Sequence, residues 1–189
     1  MSCAIVHGPI GIGKTKTCRD LADRARAEGN SPRGVISPAV FTDGEQIGYD
    51  CLNIFSGEAF PLVRLKGLVK GPEWFHHGNL KYAFSVPGFE RANLILLHSA
   101  EAMGPTPLVF VDEFGRLERA GLGFYSGTVR VTESLTPGGV TVFACRTDTV
   151  DAVKKLVLGR AREVREFEPG DADSIWRYIR RVQRRELPT

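Results

Sequence analysis

The sequence has no apolar stretch near the roughly 18 uninterrupted residues that a membrane span requires. Its richest run, residues 92–100, is broken by Asn93 and His98, so no membrane crossing is expected. No basic segment or small-residue cleavage site precedes the first apolar run at Cys3, and no secretory signal is expected either. The four cysteines, Cys3, Cys18, Cys51 and Cys145, form no CxxC pair, and three of them lie in strand-like apolar runs. That pattern excludes a disulfide scaffold and predicts reduced core thiols in a cytoplasmic protein. An excess of one charge is lacking as well: 25 basic and 22 acidic side chains leave +3. Residues 154–189 carry +4 of this and the rest −1. With a sequence pI of about 8.7 and no dense basic face, nucleic acid is not expected as the main partner. Repeats, low-complexity tracts and interdomain linkers are absent too, and nothing in the sequence signals an oligomeric state.

What is present is an ordinary globular composition over 189 residues, 42% hydrophobic, 9% aromatic and 25% charged. That length predicts a single domain over residues 1–189. Short apolar runs alternate with amphipathic ones, the pattern of a largely parallel sheet with helices on both faces. Strands are expected at 3–7, 34–37, 82–86, 108–111, 140–145 and 163–167. Helices are expected at 14–28, at about 89–103, from Thr149 to 158, and from a cap at Asp173 to Glu186. Between them, Asp43-Gly44 and Ser56-Gly57 separate short runs, which predicts an inserted antiparallel meander with hairpins over about 38–81. Its last part, residues 66–81, lacks periodicity and reads as a loop.

The strongest chemical signal is Gly8-Pro9-Ile10-Gly11-Ile12-Gly13-Lys14-Thr15, which fits GxxxxGK[ST] directly after a strand and at the opening of a helix. Glycines allow consecutive backbone N–H groups to turn inward around phosphate oxygens, and the helix N-terminus adds partial positive charge behind them. In such a Walker A loop, Lys14 contacts the β and γ phosphates and the Thr15 hydroxyl coordinates magnesium, with Lys16 following in the same turn. The metal also needs a carboxylate at the end of a buried strand, and Leu108-Val109-Phe110-Val111-Asp112 supplies one as a Walker B strand. Glu113, one residue on, is the candidate to orient or deprotonate a water attacking the γ phosphate, the alternative being a surface or helix-capping carboxylate. Asp112-Glu113-Phe114-Gly115 also spells DxxG, as in regulatory GTPases, but no Asn-Lys-x-Asp tetrad is present to read guanine.

With these segments in view, the sequence resembles the THEP1-type nucleoside-triphosphatases. The resemblance rests on GPIGIGKTKT at residues 8–17, IGYDCLNIFSGEAFPLVRL at 47–65, LKYAFSVPGFE at 80–90 and LVFVDEFGRLE at 108–118. It implies a P-loop α/β domain of the RecA-like kind, with hydrolysis of ATP, GTP and other nucleoside triphosphates to diphosphate and phosphate with Mg2+. The chain departs from the family pattern at Ser37-Pro38-Ala39-Val40-Phe41, where the family tends to carry Thr-x-Glu-x-Arg, and residues 66–79 are longer and more irregular. The implied fold places the strand 140–145 between the strand before the P-loop and the strand ending in Asp112. Arg146 and Thr147 then become candidates to sense or stabilise γ-phosphate charge, the alternative being a plain surface arginine, and Arg116 a further one, the alternative being a surface residue at a helix start. Two other readings share the same P-loop: a small-molecule or nucleotide kinase, and a nucleotide-gated binding module. The adjacent His76 and His77 do not form a metal pair, and the arginines at 177, 180, 181, 184 and 185 read as a solvated helix face, with a weak phosphate-backbone surface as the alternative.

Overall fold

The computed structural model describes residues 1–101, 107–134 and 136–185. In chain order the elements are β1 (Ser2–His7), α1 (Lys14–Ala27), β2 (Arg33–Ile36), β3 (Ala39–Thr42), β4 (Glu45–Asn53), β5 (Ala59–Leu65) and β6 (Trp74–His76). They continue with β7 (Tyr82–Ser85), α2 (Val86–Glu101), β8 (Leu108–Phe114), α3 (Arg116–Arg119), α4 (Tyr125–Ser134) and β9 (Val140–Cys145). The last three are α5 (Val150–Val157), β10 (Glu163–Phe167) and α6 (Ala172–Arg184).

One sheet runs β10-β1-β9-β8-β2-β4-β5-β7-β6, with β3 paired to β4. Neighbours from β10 to β2 are parallel, and those from β2 onward are antiparallel. The meander thus extends the parallel sheet edgewise. As expected, β9 lies between β1 and β8.

Alternation along the central strands divides the core. Cys3, Ile5, Val109, Val111 and Phe143 pack with α2, α4 and α5 on one face. Ala4, Val6, Phe110, Val142 and Ala144 pack with α1 and α6 on the other. Because both faces are covered, β1, β8 and β9 are apolar at nearly every position, which is why they were legible as continuous runs. No helix among the described residues is long and apolar enough to cross a membrane.

Several elements differ from the sequence expectation, each for a local reason. Helix α2 starts at Val86 rather than near Phe89, because the Ser85 hydroxyl accepts from Gly88 N–H at 3.1 Å and Pro87 sits in the first turn, where its missing N–H costs nothing. Met103, the expected end of that helix, lies outside the described residues. Residues 66–81 are partly ordered into the sheet: β6 pairs with β7, and Phe75 and Phe84 stack with centroids 5.4 Å apart. Asp171, not Asp173, caps α6 by accepting from Ser174 N–H at 3.2 Å. Asp173 instead pairs with Arg24 at 2.6 Å, and Glu186 lies outside the described residues.

Helices α3 and α4 have no counterpart in the sequence reading. Gly127 and the β-branched Thr128, Val129 and Val131 give α4 poor intrinsic propensity. Tertiary contact compensates: Asn93 of α2 donates to Gly123 O at 2.8 Å and accepts from Gly127 N–H at 2.7 Å. A Cβ on Gly127 would lie 2.8 Å from the Leu96 Cβ, so only glycine permits this approach of α2 and α4.

Candidate nucleotide and phosphoryl-transfer site

The carboxyl ends of the parallel strands are where an open α/β sheet forms its ligand crevice. Here β1 delivers the loop 8–13, β2 is followed by Ser37, β8 ends with Asp112, Glu113 and Phe114, and β9 is followed by Arg146. Four neighbouring strands therefore bring together residues up to about 140 positions apart in the chain.

The loop is built for backbone exposure. Gly13, with φ 101° and ψ 14°, occupies the left-handed region at the position preceding α1, which a side chain would disfavour. No side chain caps α1 among the described residues, and its first turn has no acid. Its N-terminal N–H groups and dipole are thus left for an anion. Lys14 is only 5% exposed, and its ammonium donates to Gly8 O at 3.0 Å and Pro9 O at 2.7 Å. A third N–H remains on that nitrogen. Lys16 turns outward and pairs with Asp20 at 2.6 Å, so it offers the loop its backbone alone. Ile10 and Ile12 of the loop are exposed, 67% and 52%.

Asp112 is fully buried. Its Oδ2 accepts from Ser37 N–H at 3.0 Å, its Oδ1 from Glu113 N–H at 2.9 Å, and the Thr15 hydroxyl bonds to it as well. Burial pushes its carboxyl pKa above the ordinary carboxylate range, while these donors and Lys14 pull in the opposite direction. The Asp112 carboxylate and the Thr15 hydroxyl are hard oxygen donors brought together at the end of the phosphate loop, a set that suits Mg2+, which is held by one or two carboxylates and keeps several waters.

Glu113 has φ 64°, a left-handed conformation rare for a non-glycine residue and concentrated at functional sites. Burial and the adjacent Asp112 push its carboxyl up to about 7, with Lys14 and Arg146 acting in the opposite direction. Arg146 borders the same cavity as Glu113, and its Nε pairs with Asp148 at 3.1 Å. Thr147 opens a short turn after β9 and is exposed, whereas Arg116 borders the same cavity as Arg146.

Two residues escaped the sequence reading. Ser37 was noted there only as a departure from the family pattern, yet its N–H fixes Asp112 across the β2–β8 pair. Glu118, 4% exposed, accepts from Gly115 N–H at 2.7 Å and Phe124 N–H at 2.8 Å, which pins the turn that follows Glu113. Burial pushes its carboxyl up to about 7. A glutamate three residues after Gly115 is a helix-start pattern, and that spacing was the available signal. On α6, Arg180 pairs with Glu28 at 3.6 Å and Arg181 pairs with Glu163, so part of the basic face is neutralised within the fold.

Known proteins match this chain in sequence and in fold. Over 134 residues the chain is 28% identical to the nucleoside-triphosphatase THEP1 of Methanopyrus kandleri, covering 70% of this chain and 68% of that protein. It is 26% identical to the Pyrococcus abyssi THEP1 over 137 residues, 72% of each chain. In three dimensions it resembles a human cancer-related nucleoside triphosphatase, with TM-score 0.72 at 20% identity over the full length of both chains. THEP1 of Aquifex aeolicus superposes with TM-score 0.65 at 18% identity, covering 95% of this chain and 96% of that one. The profile described as NTPase matches residues 3–176, and the chain belongs to that family.

Proposed function

We propose that the protein is a Mg2+-dependent nucleoside-triphosphatase, hydrolysing ATP, GTP and other nucleoside triphosphates to the diphosphate and phosphate. The observation that carries this reading is the pair of consecutive carboxylates at the end of β8, one fully buried beside Thr15 and the other within the field of Lys14 and Arg146. The backbone of Gly8, Pro9, Ile10, Gly11, Ile12 and Gly13 cradles the phosphates, and Lys14 neutralises the β and γ oxygens. Thr15 and Asp112 hold the metal, which supplies charge neutralisation at the phosphates when bound. Glu113 accepts the proton of the attacking water, and Arg146 stabilises charge on the transferring group. The four cysteines are free and buried, which suits a reducing, cytoplasmic setting.

The test is phosphate release from ATP, GTP, CTP and UTP with magnesium, wild type beside Glu113→Gln. Release from several triphosphates that falls about 10²- to 10⁴-fold in the variant, with nucleotide affinity retained, is the expected result. Turnover by Glu113→Gln at the wild-type rate removes Glu113 from its role.

A further inference from the structure

A cavity of about 200 Å³ opens directly beyond Glu113. Its apolar walls come from Leu62, Val63, Phe84, Phe89, Leu117 and Phe124, all in the core cluster on the α2 face, the face opposite α1. At the site end it is bordered by Ile10 of the phosphate loop, Ser37, Glu113 and Arg146. The cavity thus adjoins the phosphate cradle and leads into the half of the sheet contributed by the meander.

Hydrolysis alone gives no reason for this space. A single attacking water needs about 30 Å³ and prefers polar partners, whereas a cavity of about 150 Å³ lined by leucine, isoleucine and phenylalanine takes up benzene. A polyol would find polar partners only at the residues Tyr49, Tyr82, Arg116 and Glu118 beside Glu113 and Arg146, so a body that is mostly apolar suits the rest of the lining better. One buried polar group stands out at the site end: the Ser37 hydroxyl, in a residue 1% exposed, has no hydrogen-bond partner among the described residues.

We propose that this pocket receives a small alcohol with an apolar body of roughly one aromatic ring, and that the protein transfers the γ-phosphoryl group of a nucleoside triphosphate to its hydroxyl. The inference rests on the assignment of the phosphate loop and Glu113 given above. In the transfer, the alcohol oxygen forms a bond to the γ phosphorus, and the bond from that phosphorus to the β–γ bridging oxygen breaks. Its electron pair leaves on the nucleoside diphosphate, and the alcohol proton passes to the Glu113 carboxylate. With the alcohol seated, its body fills the apolar part of the cavity and excludes water there, so hydrolysis is what remains when the pocket holds no alcohol.

The experiment follows γ-labelled ATP with magnesium and either 2-phenylethanol or 2-(4-fluorophenyl)ethanol, with glycerol as the polar comparison. Label is then partitioned between inorganic phosphate and phosphate ester. The expected result is ester with the aromatic alcohols, at least tenfold more than with glycerol, together with broadening of the fluorine resonance on adding protein. Leu80→Trp, which enlarges a half-buried side chain on the cavity wall, should lower the ester-to-phosphate ratio at least tenfold. An unchanged ratio in a folded Leu80→Trp protein overturns the proposal. So does inorganic phosphate as sole product with no fluorine broadening, whether or not the variant folds. That last outcome leaves the triphosphatase reading intact. Ester formation without any basal phosphate release supports the proposal and overturns the hydrolase reading.

Discussion

The main-chain N–H of Ser37 donates to Oδ2 of Asp112 at 3.0 Å, tying the end of β2 to the end of β8. The other carboxylate oxygen is held by Glu113 N–H at 2.9 Å. Asp112 therefore has its rotamer fixed by the backbone on both oxygens, and little ordering remains when a cation arrives. Ser37 and Glu113 both border the cavity.

If Asp112 holds magnesium, turnover in metal-free buffer should be negligible and should return on adding Mg2+. Asp112→Asn keeps the shape and removes the charge. It should raise the magnesium concentration for half-maximal rate about 10- to 100-fold, read from phosphate release against metal concentration. An unshifted magnesium curve would show that another group binds the ion.

Lys14→Ala should weaken triphosphate binding about 10- to 100-fold, as expected for losing a charge-assisted hydrogen bond of roughly 1.5–3 kcal/mol. Isothermal titration with a non-hydrolysable ATP analogue measures it. Retained affinity would mean that the ammonium stays with Gly8 O and Pro9 O when nucleotide binds.

Arg146 has two available roles, charge stabilisation beside Glu113 or a surface pair with Asp148. The first predicts that Arg146→Ala lowers kcat about 10- to 100-fold with KM nearly unchanged. The second predicts no kinetic change, because exposed pairs contribute roughly 0–1 kcal/mol to stability and nothing to the chemical step.

Glu118 makes the stability of the protein depend on pH. Its carboxyl is pushed from 4.5 up to about 7 in the folded state, so the folded state binds the proton more tightly than the unfolded chain. Its contribution is therefore present below pH ~4.5 and is lost as pH rises through about 7, on the order of 1–3 kcal/mol in total. Glu118→Gln should flatten that share of the curve. It should also lower the melting temperature in acid by a few degrees, since the amide cannot accept from both Gly115 N–H and Phe124 N–H. Thermal denaturation of both proteins between pH 5 and 8 checks the sign. A variant curve parallel to wild type would mean that Glu118 titrates normally.

The parts of this protein that can be read before folding are those whose signals are local. The strand–loop–helix arrangement around residues 8–15 was legible because Gly8, Gly11, Gly13, Lys14 and Thr15 occupy fixed spacing after an apolar run and before an amphipathic one. Asp112 was legible because it ends an apolar run that only a two-sided buried strand requires. The parallel order β1-β9-β8 followed from the resemblance to a known family. Tertiary structure decided the rest. Helix α4 exists because Gly127 lets it pack on Leu96 and Asn93, against its own weak propensity. Strand β6 forms only because β7 is beside it, and Ser37 meets Asp112 only because β2 pairs with β8. The apolar cavity draws its walls from β5, β7, α2, α3 and the turn before α4, elements that share no sequence period. Spacing along a chain encodes hydrogen bonding and burial within one element. Cavities and carboxylate environments depend on which elements become neighbours, and that is fixed by packing of the whole sheet.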